Sequence, residues 1–269
     1  KYGQNILVET NSYELIISDA KDLAGLPNEL IETAAADAKT KGKAGKWVFT
    51  LSNSSVMPFL QYSSNRKLRQ EIWNAYQMRA NNGNDKDNKS LAIKIANLRG
   101  EKARLLGYAT HADYVLEKSM AKNPETANKL LNDLWIPALN MANKEAADIQ
   151  KMMQKEGINE PVQPYDWRYY TEKIRKERFD LDEQEMKPYF SLEKTREGVF
   201  TVCKNLYGLQ FKQLNNVPKY HEDVTVWEVT EANGSHVGIL YMDFHPRTSK
   251  RGGAWMTSYR TQKMENGKR

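Results

Sequence analysis

The chain has 269 residues, of which 40% are hydrophobic, 10% aromatic and 28% charged, a balance that excludes a disordered protein and suits a soluble globular one. The net charge of +6 comes from 40 basic and 34 acidic residues whose signs are interleaved, as in Glu172-Lys173-Ile174-Arg175-Lys176-Glu177-Arg178. That is the pattern of a solvated helix face, so a nucleic-acid partner is not expected; no apolar run reaches membrane-spanning length, so neither is a membrane.

Residues 4–22 alternate polar and apolar and read as an irregular or short helical lead-in. Pro27 begins a helix reaching about Lys43, with Leu30, Ile31, Ala34 and Ala35 as its apolar face. Trp47 to Ser52 follows the Gly45 turn and is strand-like, because aromatic and β-branched residues dominate it. Asn65 caps a helix to about Ala80 with Leu68, Ile72, Trp73 and Tyr76 on one side, and the polar cluster at 81–85 ends it. A helix over about 88–106 is built on Leu91, Ile95, Leu98, Ala103 and Leu106 and is closed by Gly107.

Another helix is predicted over His111–Met120. Asn123-Pro124-Glu125 then pairs a capping residue with a proline at the first helical position. The helix it opens runs to about Glu156 and buries Ala127, Leu131, Leu134, Ala138, Met141, Ala142, Ile149 and Met153, with a kink expected at Pro137. Pro161 and Pro164 mark a loop before the aromatic helix Tyr165-Asp166-Trp167-Arg168-Tyr169-Tyr170. Asp180 to Glu183 opens a short turn ending at Phe190. Ser191 then caps a helix carrying Leu192, Val199, Phe200, Cys203, Leu206 and Tyr207, and Gly208 stops it. Cys203, the single cysteine, reads as a small buried hydrophobe. It rules out a disulfide framework within the chain and fits a reducing, cytoplasmic compartment while leaving a periplasmic one open.

From Val217 to Tyr259 the pattern changes from helix to strand. Val224, Val226, Trp227 and Val229 precede the turn cluster at 231–235, and Val237, Ile239, Leu240, Tyr241, Met242 and Phe244 follow it, which is a hairpin signal around Asn233-Gly234. Beyond it, Lys250-Arg251-Gly252-Gly253-Ala254-Trp255-Met256 places two glycines and a small residue before a large aromatic, where another backbone can approach. Such an edge can take up an extended peptide as an added strand; the plainer alternative is a small hairpin packed on a helical body with no ligand. The fold class expected is mainly α with a small antiparallel β-sheet near the C-terminus, divided into a helical region at 1–215 and a hairpin and edge region at 216–269.

The residues alone contain no catalytic constellation. His111, His221, His236 and His245 are the only histidines, H-E-x-x-H is absent, and a zinc site from His221, His236 and His245 would need adjacent strands to bring them together. There is no phosphate-cradling loop, dinucleotide fingerprint or G-x-S-x-G elbow. Asp166, at a helix start among aromatics, reads as a cap or ion-pair member; Asp243, between strand aromatics, reads as a partner of Arg247 or Lys250.

Four stretches, Leu98 to Tyr108 (LRGEKARLLGY), Tyr165 to Tyr170 (YDWRYY), Asp182 to Phe190 and Lys250 to Met256 (KRGGAWM), together resemble the thimet-oligopeptidase family of zinc metallopeptidases. Val217 to Val224 and Asp243-Phe244 are most similar to its bacterial peptidyl-dipeptidase branch. The resemblance implies the helical body of a neurolysin-like metallopeptidase, with a deep channel that admits short peptides. It also implies zinc held by two histidines of H-E-F-G-H and a distant glutamate, downstream of the Gly-Gly-Ala-Trp-Met stretch. The chain ends at Arg269 before such a motif and starts at Lys1 rather than Met, so it is expected to be an internal section without metal ligands or catalytic residues of its own. Zinc would then belong to the full-length enzyme. The resemblance carries over only Gly252, Gly253, Ala254 and Trp255, as a substrate-binding edge beside the channel. A stand-alone helical peptide-binding or scaffold domain is the competing reading, and H-E-x-x-H in the rest of the reading frame would discriminate the two.

Overall fold

The computed structural model describes residues 1–180, 183–250, 252, 256–258, 261 and 263–267. It is mainly helical, and among the described residues the strands form a two-stranded and a three-stranded antiparallel sheet. The chain divides into two compact units, Lys1–Asp182 and Glu183–Arg269.

The first unit runs α1 (Tyr2–Ser12), β1 (Leu15–Ile17), a 3-10 turn (Ala20–Leu23), α2 (Asn28–Thr40), β2 (Trp47–Phe49), α3 (Asn53–Tyr62), α4 (Arg66–Gln77), α5 (Lys89–Leu105), α6 (His111–Leu116), α7 (Pro124–Lys155) and α8 (Pro164–Phe179). The stretch read as an irregular or short helical lead-in is α1, followed by a strand that the sequence reading did not include. Leu15 and Ile17 point inward, and β1 supplies the backbone partners that β2 needs, with Leu15 opposite Phe49 and Ile17 opposite Trp47. Helix α3 carries no helix signal in its sequence, because a serine-rich start and Pro58 both suggest a loop. It forms because Val56, Phe59 and Leu60 fill the core with Phe49, Leu51 and Ile72, and Phe59 meets the Phe49 ring edge-on at 4.8 Å. Gly25 (φ +86°) makes this closure possible, since a Cβ there would lie 2.3 Å from the Tyr62 carbonyl oxygen.

Helix ends follow the capping chemistry. Asn65 Oδ1 accepts from the Lys67 and Leu68 amides at 3.1 and 3.2 Å, and Asn123 Oδ1 from the Thr126 amide at 2.8 Å. Helix α6 ends at Leu116, short of the expected Met120. Helix α1 is docked by polar groups: Asn5 donates to Asn88 Oδ1 at 2.9 Å, and buried Glu9 accepts from the Ala80 amide, Asn82 Nδ2 and Asn84 Nδ2 at 2.6–2.7 Å. Burial pushes the Glu9 carboxyl up, but the Asn84, Ala80 and Asn82 donors outweigh it and hold the group below its ordinary range.

Helix α7 departs from its expected packing. Of the predicted stripe only Ile149 and Met153 are buried, against Tyr170 of α8, while Leu131, Leu134, Ala138 and Met141 are exposed. The cause is length: α7 has 32 residues, α8 has 16, and the second core engages only the C-terminal part of α7. The helix continues through Pro137.

The centre of the unit is a buried charge network. Arg69 and Asp166 are 1% and 0% exposed, and Arg69 Nη2 donates to Asp166 Oδ1 at 3.1 Å. Arg66 adds a fork, Nε to Oδ1 at 3.0 Å and Nη2 to Oδ2 at 2.8 Å, and the Gln163 amide caps Oδ2 at 3.1 Å. Arg69 also donates to the carbonyls of Ser63 (2.8 Å) and Tyr165 (3.3 Å), with its guanidinium 4.1 Å from the Tyr169 ring centre. Asp166 therefore both caps α8 and takes part in an ion pair. Burial raises its pKa, but Arg66, the Gln163 amide and Arg69 outweigh that and hold it below the usual carboxylate range.

The second unit contains α9 (Glu183–Met186), a 3-10 turn (Lys187–Tyr189), α10 (Leu192–Tyr207), β3 (Gln210–Leu214), β4 (Thr225–Thr230) and β5 (His236–Met242), with sheet order β3-β4-β5. Ser191 Oγ accepts from the Lys194 amide at 3.3 Å, and Gly208 (φ +74°) closes α10 in the left-handed conformation. The expected hairpin is β4–β5. Strand β3 joins it because Phe211 stacks on Phe200 of α10 at 4.1 Å, beside Trp227 at 4.8 Å.

Removing one partner of the buried network should be costly, because the other charge is left desolvated. Arg69→Ala is expected to lower unfolding stability by about 3–5 kcal/mol. Lys129→Ala, which breaks the exposed pair with Asp133, should cost under about 0.5 kcal/mol. Because the Asp166 pKa is depressed on folding, its contribution is complete above about pH 4 and disappears as pH falls through the lower folded value. Urea unfolding from pH 6 to 3 checks this; Asp166→Asn should be destabilised at neutral pH and show a flatter acid slope.

Candidate substrate-edge segment and its anchor

The edge segment singled out in the sequence begins shortly after β5, and the structure shows what precedes it. Asp243 directly follows β5, and its side chain is 13% exposed. Lys250 Nζ lies 2.7 Å from Oδ1, while Oδ2 accepts from Tyr220 Oη at 3.1 Å and from Arg247 Nη2. Lys250 Nζ also donates to the carbonyls of Asp243 (3.1 Å) and His245 (2.6 Å), and its amide donates to the Arg247 carbonyl at 2.9 Å. The turn at 243–250 is thus closed on a single ammonium.

Asp243 pairs with both of its expected partners. Tyr220 was not foreseen, because it comes from the connection between β3 and β4 and no local pattern links residues 23 apart. That connection is itself stitched to the strands: Lys219 Nζ donates to the Glu222 and Val224 carbonyls at 2.6 and 3.2 Å, and Tyr241 Oη to the Pro218 carbonyl at 3.2 Å. The Lys250 hydrogen bond, opposed by desolvation and aided by Arg247 and Tyr220, pulls the Asp243 pKa down to about 2.

Gly252 lies in an exposed bend just beyond this anchor, whereas Gly253, Ala254 and Trp255 lie outside the described residues. The structure does not bring the three C-terminal-region histidines together. His236 opens β5 with Nδ1 3.2 Å from Glu228 Oε1, and His245 follows the far end of that strand, about 20 Å away at the rise of an extended chain. His221 is engaged locally, its Nδ1 accepting from the Asp223 amide at 3.3 Å. Among the described residues no three His, Cys, Asp or Glu side chains converge to hold a metal ion.

The sequence model of peptidase family M3 matches residues 59–269. The chain belongs to this family. Dipeptidyl carboxypeptidase of Escherichia coli (strain K12) is 35% identical over 99% of the chain and 39% of its own length. Oligopeptidase A of the same organism is 34% identical over 95% of the chain and 38% of its own length, and probable cytosolic oligopeptidase A of Arabidopsis thaliana has the same identity and coverage. The M3 chain therefore spans about two fifths of the length of these relatives. Family M3 peptidases depend on zinc, and the donor set described above does not fit that ion. No helix among the described residues is long and apolar enough to cross a membrane.

Asp243 should stay ionised through neutral and mildly acidic pH, and the turn should open only as pH falls toward about 2, where its folded-state proton binds. Nuclear magnetic resonance of the Lys250 side chain should report that titration. In Asp243→Asn the Lys250 amide should exchange faster at neutral pH, while the paired amides of β4 and β5 stay protected.

Proposed function

We propose that the chain is a section of a zinc-dependent peptidyl-dipeptidase that hydrolyses short peptides and releases C-terminal dipeptides. The observation that carries this reading is the alignment of 99% of the chain with a dipeptidyl carboxypeptidase at 35% identity. In this reading the chain contributes helical body and a substrate edge, and short peptides are its partners. Zinc and the catalytic glutamate come from an H-E-x-x-H motif that the sequence lacks. A cytoplasmic location agrees with the printed name of the cytosolic relative.

Gly252, Gly253, Ala254 and Trp255 form the edge at which a bound peptide pairs with backbone. Glycines suit this role because a backbone without Cβ atoms leaves room for a second one. The role rests on the glycine pattern and on the family.

On this reading the chain by itself, whose sequence contains no H-E-x-x-H, is inactive as a peptidase. Purified chain should contain no stoichiometric zinc and should leave a blocked tripeptide uncleaved. One bound zinc with chelator-sensitive cleavage would overturn the proposal. In the full-length protein, Gly253→Val should raise KM more than it disturbs folding, measured by peptide hydrolysis beside thermal unfolding; an unchanged KM removes Gly253 from the edge.

A further inference from the structure

We propose that the N-terminal half of α7 is a docking face, enclosed in the full-length protein by apolar surface from the part of the polypeptide that lies outside this chain. The inference rests on the reading of the chain as a section of a longer protein, and not on the release of dipeptides.

Large apolar side chains in this half, Leu130, Leu131, Leu134, Trp135, Ile136 and Leu139, are 42–68% exposed. At about 100° per residue they sweep an arc of roughly 240° around the helix, which only Asn132 interrupts. Lys129 and Asp133, paired at 2.6 Å, lie in the sector that is left. A helix resting on one surface needs an apolar stripe of little more than about 100°. An arc about twice that width belongs to a helix with neighbours on several sides, and a contiguous apolar patch of this kind marks an interaction site.

The C-terminal half of α7 already has a neighbour of the required kind, since Ile149 and Met153 are buried with Tyr170 of α8. Leu131 and Trp135 stand about five whole turns before them on the same helix, so they continue that seam where α8 does not cover it. The width of the arc and the length of the relatives decide the occupant. Dipeptidyl carboxypeptidase of Escherichia coli aligns with 99% of this chain over 39% of its own length, which leaves about three fifths of such a protein to cover the helix. A second copy would meet the face through one two-fold contact of like with like, closing one side and leaving the rest of the arc in water. Polypeptide of the same protein can approach from several sides, and it loses no translational freedom of its own in doing so.

Oxidative footprinting read by mass spectrometry at Trp135 and Met141 tests this in the full-length protein. In its monomer both side chains should react at least about tenfold more slowly than in the urea-unfolded protein, whereas in the isolated chain the two rates should differ by less than about threefold. Leu131→Lys combined with Leu134→Lys keeps helix propensity but puts two ammonium groups into the enclosed face. This double variant should lower the melting temperature of the full-length protein by at least about 4 °C and move that of the isolated chain by less than about 1 °C. Reaction within about threefold of the unfolded rate in the unsubstituted full-length monomer overturns the docking face, and that readout needs no variant to fold. Protection that appears only in a dimer and is lost on dilution assigns the face to a second copy and overturns it too, as does equal protection in the monomeric isolated chain. A full-length protein that shields Trp135 but releases no dipeptides removes the proposed activity and leaves the docking face standing.

Discussion

A carboxylate and a guanidinium with almost no access to water hold the first unit in register. Neither Asp166 nor Arg69 can be left alone, because a lone charge in that interior has no solvent to stabilise it. The requirement reaches outward through their other bonds. Arg69 fixes the end of α3 through the Ser63 carbonyl and the start of α8 through the Tyr165 carbonyl, and Arg66 supplies the second side of the carboxylate. The apolar core around Phe49, Phe59 and Ile72 provides bulk stability, but apolar packing alone tolerates sliding. The charge network does not.

The second unit applies similar logic with the carboxylate nearer to water. Asp243 gathers an arginine, a lysine and a tyrosine, and the result is a fixed exit from the sheet rather than a fixed core. In both carboxylates donors outweigh burial, but the largest single influence is Lys250 at Asp243 and burial at Asp166. One carboxylate therefore organises helix packing, and the other organises a turn.

Much of this was readable in the sequence, and the reasons for the rest are physical. Asn65, Asn123, Ser191 and Gly208 act within a few residues of themselves, so their caps appear where local chemistry puts them. The β4–β5 hairpin was legible from Asn233-Gly234 and alternating apolar runs, and the links from Asp243 to Arg247 and Lys250 from proximity in the chain. Strand β1, helix α3 and the Tyr220 contact were not, since each is decided by a partner distant in sequence. The α7 stripe was over-read: periodicity marks which residues could be buried, and it cannot say how much of a 32-residue helix finds a neighbour. Of the edge segment, the pattern of small side chains was legible, while the oxygens gathered around the Lys250 ammonium ahead of it required coordinates.

The separation of Arg69 from Asp166 by 97 residues has a consequence during synthesis. A ribosome adding about 5–20 residues per second needs roughly 5–20 s to cover that interval. Throughout it the nascent chain carries Arg66 and Arg69 without their carboxylate, and α3 and α4 have nothing to lock them to a helix that does not yet exist. The cores on either side can condense only loosely until YDWRYY has left the ribosome. The unit's final closure is therefore timed by the emergence of one aspartate, late in the translation of its own domain.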